Sequence, residues 1–353
     1  MTLEIERAAQ ILKQGGIVAF PTETVYGLGA DAMNAKAVCR VFEVKKRPEF
    51  DPLIVHVADS KQAESLWAGT PGLAHSLMRA FWPGPLTIVL PKSAAALDIV
   101  TAGLPTVAAR MPRHEAALGL LKAFGGPVAA PSANLFGYTS ATTAEAVRED
   151  FGNSVDFILD AGPAVIGIES TVVKIENDRL VILRPGGVPV EELGKFAPIF
   201  PHKCTPGVHP ESPGQIESHY APWTPFALMD YPLSKFLKKL RSFYAGAPLA
   251  GARAGTSPAP TWPRIGLLLF SQNVDVPFVE QTEVLTEKND LVEAASNLFQ
   301  AIRKLDKMHL DWIAAEAVPE KGIGAAIMDR LRKASGGKWA IRDLLVNDGT
   351  HGN

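Results

Sequence analysis

Between Ile17 and Arg184 the chain alternates short β-branched runs with amphipathic stretches, and that alternation confines it to a sheet covered by helices. Strand-like runs fall at 17–20, 53–57, 86–90, 106–110, 127–130, 157–160, 170–175 and 180–184, and the intervening periodicity predicts helices over 35–46, 71–81, 114–124 and 143–150. The segment STVVKIENDRLVILR predicts a hairpin that turns at Asn177-Asp178, so the sheet is expected to be mixed. Ahead of all this, MTLEIERAAQILKQGG is an amphipathic helix with acidic residues early and a Gly-Gly stop.

The pattern breaks at 201–225, where six prolines and little apolar periodicity read as a linker. A second low-complexity stretch at 245–263 reads as a loosely held loop. Beyond it come an apolar strand at 264–270, a long helix around 290–307, a strand near DWIAAEAV and the helix GIGAAIMDRLRKAS. At 353 residues the chain exceeds what one core usually supports. We expect a sheet domain at 1–200, a proline-rich linker or lid at 201–230 and a smaller α/β domain at 231–345.

With 35 basic against 37 acidic residues, the chain carries no gross field that would attract nucleic acid, so any such contact must be local. Cys39 and Cys204 are far apart and lack ligand neighbours, which argues against a disulfide framework or a zinc site. The amino-terminal helix does not have the layout of a signal peptide, and no apolar run approaches a membrane span. A cytoplasmic protein without a membrane partner is expected.

Hydroxyls and cations gather at predicted strand ends. GIVAFPTETVYGLGAD runs from a strand into a threonine-studded loop closed by glycines, and KKRPEFDPLIVHV sets Lys45, Lys46 and Arg47 just before the next strand. Arg110 and Arg184 end two further strands, the second followed by Pro185-Gly186-Gly187. By spacing alone the triplet at 45–47 could simply favour a helix C-terminus, and His56 is more often a core residue than a catalytic one. PSANLFGYTSATT must supply a helix cap from Thr142 or Thr143, with Glu145 in the first turn, but Ser132 and Asn134 lie too early for that. Such a rim suits a small molecule bearing phosphate or carboxylate.

Five motifs in order, PTETVYGLGAD, KKRPEFDPLIVHV, PSANLFGYTSATT, GIESTVV and LRPGG, resemble the YrdC/Sua5 family, and the chain length and SPGQIESHYAP resemble its two-domain Sua5 type. The resemblance implies an α/β fold: a YrdC-like twisted mixed sheet with flanking helices, plus a smaller Rossmann-like carboxy-terminal domain. It implies synthesis of threonylcarbamoyl-AMP and pyrophosphate from L-threonine, bicarbonate or CO2, and ATP, with Mg²⁺ on the triphosphate and no dedicated protein metal site. Downstream partners would be a threonylcarbamoyl transferase complex and the tRNA modified at adenosine 37. The family's KxR and SxN signature stands here as Lys45-Lys46-Arg47 and Ser132-Ala133-Asn134. Carried over by position, Lys45 and Arg47 are catalytic, and Thr24, His56, Arg110, Ser132 and Ser170 line the threonine site. Lys45, Arg47, Asp51, Thr106, Asn134, Thr142, Arg184 and Tyr220 serve ATP. Two departures stand out: Asp51 where many relatives carry Asn, and Gln215-Ile216-Glu217-Ser218 where a basic residue is common.

Other features carry less. GxG at 322–324 lacks the context of a dinucleotide site, and no GxxxxGK[ST] loop exists. His219 with His202 and His209 has no metal-ligand spacing, and Trp82 reads as a core aromatic at a turn. The rival readings are a non-catalytic double-stranded RNA or tRNA-binding module of the same fold and a carbamoyl transferase of the hydrogenase-maturation type. Near-neutral charge weighs against the first and two cysteines against the second.

Overall fold

The computed structural model describes residues 1–202, 210–215, 219–229, 232–246, 263–274 and 279–336. Cys204, His209, the Ile216-Glu217-Ser218 segment and most of the low-complexity stretch at 245–263 lie outside the described residues.

Two sheets organise the chain. The first takes β1 (Val18–Phe20), β2 (Gly27–Asp31), β3 (Ile54–His56), β4 (Leu86–Pro91), β5 (Thr106–Arg110), β6 (Val128–Ala129), β7 (Phe157–Ile158), β8 (Thr171–Glu176), β9 (Arg179–Arg184) and β10 (Ile199–Pro201). Their order is β10-β9-β8-β4-β5-β3-β6-β2-β1-β7, with parallel and antiparallel neighbours mixed. The second sheet is wholly parallel, with β11 (Phe226–Leu228), β12 (Ile265–Leu269), β13 (Val279–Val284) and β14 (Trp312–Ala315) in the order β11-β14-β12-β13.

The predicted hairpin is β8–β9. Asn177 and Asp178 sit at φ 49° and 57°, the positive pair that a tight primed turn requires and that these two residue types tolerate best. The predicted helices form at Ala35–Lys45, Gly72–Phe81, Glu115–Phe124 and Ala144–Phe151 in the first unit, and at Leu291–Asp306 and Gly324–Ala334 in the second. Thr143 is the cap of Ala144–Phe151, accepting the Ala146 N–H at 3.2 Å, with Glu145 in the first turn. Trp82 is half-buried and donates its indole N–H to the Leu86 carbonyl at 2.7 Å.

The core is layered on the first sheet. Helices Thr2–Lys13 and Glu115–Phe124 cover one part through Leu12, Leu120 and Leu121, while Leu53, Leu77, Leu86 and Ile88 belong to a second cluster around β4 and β5. Where the units meet, the core continues: Val25 and Ile168 of the first unit share one apolar cluster with Leu298, Phe299, Ile327 and Leu331 of the second. No described helix is long and apolar enough to cross a membrane.

Candidate functional site

The turn that ends the helix Ala35–Lys45 builds the first wall. Lys46 takes a left-handed conformation at φ 53°, and the N–H groups of Lys46 and Arg47 bond back to the Glu43 and Phe42 carbonyls. This reversal turns Lys45 and Arg47 inward and leaves Lys46 exposed. Lys45 Nζ donates to the carbonyls of Ser132, at 2.6 Å, and Asn134. Arg47 donates to the carbonyls of Asp51 and Pro52 at 3.1 and 3.0 Å and pairs with the Asp51 carboxylate at 2.9 Å.

Arg184, at the end of β9, adds a third buried cation. Its Nε and Nη2 donate to the Ser170 carbonyl at 3.2 and 3.0 Å, and Nη1 donates to the Pro213 carbonyl at 3.2 Å. Burial pushes the Lys45 ammonium well below its ordinary value, with Arg47 adding to the shift; Arg47 is lowered by burial too. Burial raises the Asp51 carboxyl against the pull of Arg47. Lys45, Arg47 and Arg184 thus outnumber the carboxylates on this side, Asp51 and Glu169, and a polyanion would relieve that excess.

The opposite wall carries Arg110, at the end of β5. Its Nη2 pairs with Glu23 Oε2 at 2.7 Å, Nε donates to the Gly84 carbonyl at 3.2 Å, and Nη1 donates to Thr24 Oγ1 at 2.9 Å. Arg110 is therefore not an isolated cation, as its strand-end position suggested, but half of a buried ion pair. Thr24 and Thr22 hydroxyls lie 2.8 Å apart, and Thr22 Oγ1 donates to the Val25 carbonyl at 2.6 Å. With Thr22 committed as a donor, Thr24 must donate to it, so Thr24 Oγ1 meets a ligand only as an acceptor. His56 is buried beside Arg110, and burial together with that cation lowers it to about 3. It is neutral at physiological pH.

The proline-rich segment closes the site. Pro213, Gly214, His219 and Tyr220 complete a cleft whose other walls carry Thr24, Arg47, His56, Arg110, Ser132, Ser170 and Arg184. Burial lowers His219 to about 3 and pushes the Tyr220 phenol up to about 12.

Eight of the residues expected from sequence thus line one cleft: Thr24, Arg47, His56, Arg110, Ser132, Ser170, Arg184 and Tyr220. Lys45, Asp51 and Asn134 stand behind its wall; the Asn134 amide closes a turn by donating to Leu135 and Tyr138 carbonyls at 2.7 and 2.9 Å. Thr142 is buried outside the lining, its carbonyl taking the Ala164 N–H at 2.8 Å, and Thr106 pairs with Pro91 at the end of β5 away from Arg110. Sequence reasoning passed over Glu23 and Glu169, although both stand inside quoted motifs beside Thr24 and Ser170, and it set His219 aside after weighing only a metal role.

A family model for Sua5, YciO and YrdC proteins, described as telomere recombination, matches residues 10–186. A second, described as the C-terminal domain of threonylcarbamoyl-AMP synthase, matches residues 188–336. The chain is 42% identical to a threonylcarbamoyl-AMP synthase of Pyrococcus abyssi over 94% of each chain, and 41% identical to one of Bacillus subtilis over 95% of this chain and 94% of that one. A crystal structure of Pyrococcus abyssi Sua5 complexed with L-threonine superposes with a TM-score of 0.84 at 41% identity, covering 95% of both chains.

Proposed function

The chain belongs to the Sua5/YrdC family of threonylcarbamoyl-AMP synthases, and on that premise we propose that it makes L-threonylcarbamoyladenylate and pyrophosphate from L-threonine, bicarbonate or CO2, and ATP. The relatives' shared name describes an enzyme, and the reaction proposed here is a nucleotidyl transfer. The observation that carries the reading is the division of charge across the cleft. Arg47 and Arg184, with Lys45 behind the wall, outnumber the carboxylates Asp51 and Glu169 and suit a triphosphate on one side, and a neutral Arg110–Glu23 pair beside hydroxyls suits an amino acid on the other.

In this reading the threonine amine adds to CO2, the carbamate oxygen attacks the α-phosphorus, and pyrophosphate leaves. Catalysis then rests on placement and charge neutralisation. Arg110 offers its remaining guanidinium N–H groups to the threonine carboxylate. Thr24 Oγ1 accepts from the substrate hydroxyl, a contact that valine or alanine could not return. Lys45 holds the Ser132 and Asn134 carbonyls in line with the cleft wall, while Arg47 and Arg184 meet phosphate oxygens. His56 and His219, both neutral, add no charge and offer one ring N–H and one acceptor nitrogen each. Magnesium comes with the triphosphate as part of that substrate: the nearest buried carboxylates, Glu23, Asp51 and Glu169, are each paired with an arginine.

The product would pass to a threonylcarbamoyl transferase acting on tRNA. Pyrophosphate release measured with threonine, bicarbonate and ATP omitted in turn tests the reading. It requires release only when all three are present; equal release without threonine removes the assignment.

A further inference from the structure

Arg330, on the helix Gly324–Ala334 of the second unit, heads the fully buried side chains by volume among the described residues, yet it does not line the cleft. Its partners do, or adjoin residues that do. Nε and Nη2 each lie 3.0 Å from Glu169 Oε2, and Nη1 donates to the carbonyl of Pro185, the neighbour of Arg184. The guanidinium sits 5.2 Å from the centre of the Tyr220 ring.

Each contact reaches the nucleotide side by a short physical path. Glu169 precedes Ser170, whose carbonyl holds two N–H groups of Arg184, and Glu169 also accepts from the Ser140 hydroxyl. Burial alone would raise the Glu169 carboxyl, but Arg330, Arg184 and Ser140 together hold it below its ordinary value. Tyr220 stands at φ 63°, a left-handed conformation that a bulky aromatic keeps only when its surroundings fix it. The second unit supplies two of those surroundings, Arg330 at its ring and Phe299 at 5.6 Å, beside Val25 and Ile168 of the first unit.

We propose that Arg330 is a positioning residue for the nucleotide side of the cleft, the side chain through which the second unit fixes Glu169 and Tyr220. The proposal rests on the functional reading above and extends it: the second unit completes the ATP-facing wall rather than merely being attached to it.

The test compares full-length wild type with Arg330→Met, Arg330→Lys and Glu169→Gln, reading kcat and KM for ATP and for threonine separately. Arg330→Met should lower kcat/KM for ATP by roughly 10- to 100-fold, the scale of a misplaced wall, with threonine KM unchanged. Arg330→Lys, which keeps a charge for Glu169, should recover part of the loss. Hydrogen exchange supplies a readout without substrate. Exchange in the peptide spanning 219–221, where Ala221 N–H bonds the Gly137 carbonyl at 2.9 Å, should rise in Arg330→Met while the helix Leu291–Asp306 keeps its protection. Unchanged ATP parameters in an active background overturn the proposal. So does an equal loss for both substrates with deprotection of Leu291–Asp306, which would make Arg330 a fastener of the fold. A wild-type protein without threonine-dependent pyrophosphate release sinks the functional reading alone, and the exchange measurement then still decides the role of Arg330.

Discussion

Arg110 carries three ties at once, to Glu23, Thr24 and Gly84, so removing it does more than delete a ligand contact. Arg110→Ala should cost roughly 2–5 kcal/mol in threonine binding, as for a buried charge pair that loses one partner, and leave ATP affinity intact. Calorimetric titration with threonine checks this; unaltered binding would remove Arg110 from the substrate site. His56 makes a separate prediction about acid stability. Its folded value near 3 lies below the unfolded 6.5, so between those values the unfolded chain binds more protons and stability falls as pH drops through the window. Between pH 6.5 and 4.5 wild type should lose about 2–3 kcal/mol more than His56→Gln, at about 1.4 kcal/mol per pH unit. Urea denaturation at the two pH values measures the difference, and parallel losses would mean that His56 is not held neutral.

At the scale of elements, the short turn at 211–215 fixes the roof over the nucleotide side. Gln215 Oε1 accepts the Glu211 and Ser212 N–H groups at 2.7 and 3.2 Å, and Glu211 pairs with Lys174 of β8 at 2.5 Å. Gly214 sits at φ 80°, and a Cβ there would lie 2.6 Å from the Tyr220 hydroxyl. Gly214→Ala therefore meets both a left-handed penalty of about 1–2 kcal/mol and a collision that moves Tyr220. Steady-state kinetics should give a raised KM for ATP with threonine KM unchanged; wild-type kinetics would leave the turn a passive connection. The elements legible in sequence were those with strong periodicity or turn chemistry, such as β8–β9 with its Asn177-Asp178 turn. β2, GLGAD, read as loop because two glycines weaken any strand signal, and its place is set by pairing with β1 and β6. The site was legible where hydroxyls and cations stood at strand ends. Glu169 was not, because a glutamate reads as solvated until its partner is known, and Arg330 stands 161 residues away.

Over the whole molecule, the two units meet through shared apolar core and buried charge. Arg303 binds Asp150 through Nη1 at 2.9 Å and Nη2 at 2.6 Å, and Asp306 accepts from the Tyr138 hydroxyl and the Thr224 N–H, both at 2.7 Å. At Gly167 the two backbones come close: at φ 77°, a Cβ on it would lie 2.5 Å from the Ser296 Cα in the helix Leu291–Asp306. Since neither backbone can give way cheaply, Gly167→Ala should separate the units and lower the melting temperature by a few degrees, at roughly 1–2 °C per kcal/mol lost in a chain of this size. Scanning calorimetry checks it, and an unchanged transition would show that the interface is looser than its packing implies. None of this docking was legible in the sequence, because the contacts join residues roughly eighty to more than a hundred and sixty positions apart through side chains that look solvated in isolation.

The account as a whole stands on one product. Incubating the protein with carbon-labelled threonine, bicarbonate and ATP labelled at the α-phosphorus, then separating the mixture chromatographically, follows both halves of that product at once. A single new species carrying both labels in equal amounts, formed only with bicarbonate and matched by pyrophosphate, is the predicted result. Phosphorus-labelled AMP without threonine label, or threonine joined to AMP in the absence of bicarbonate, would contradict it.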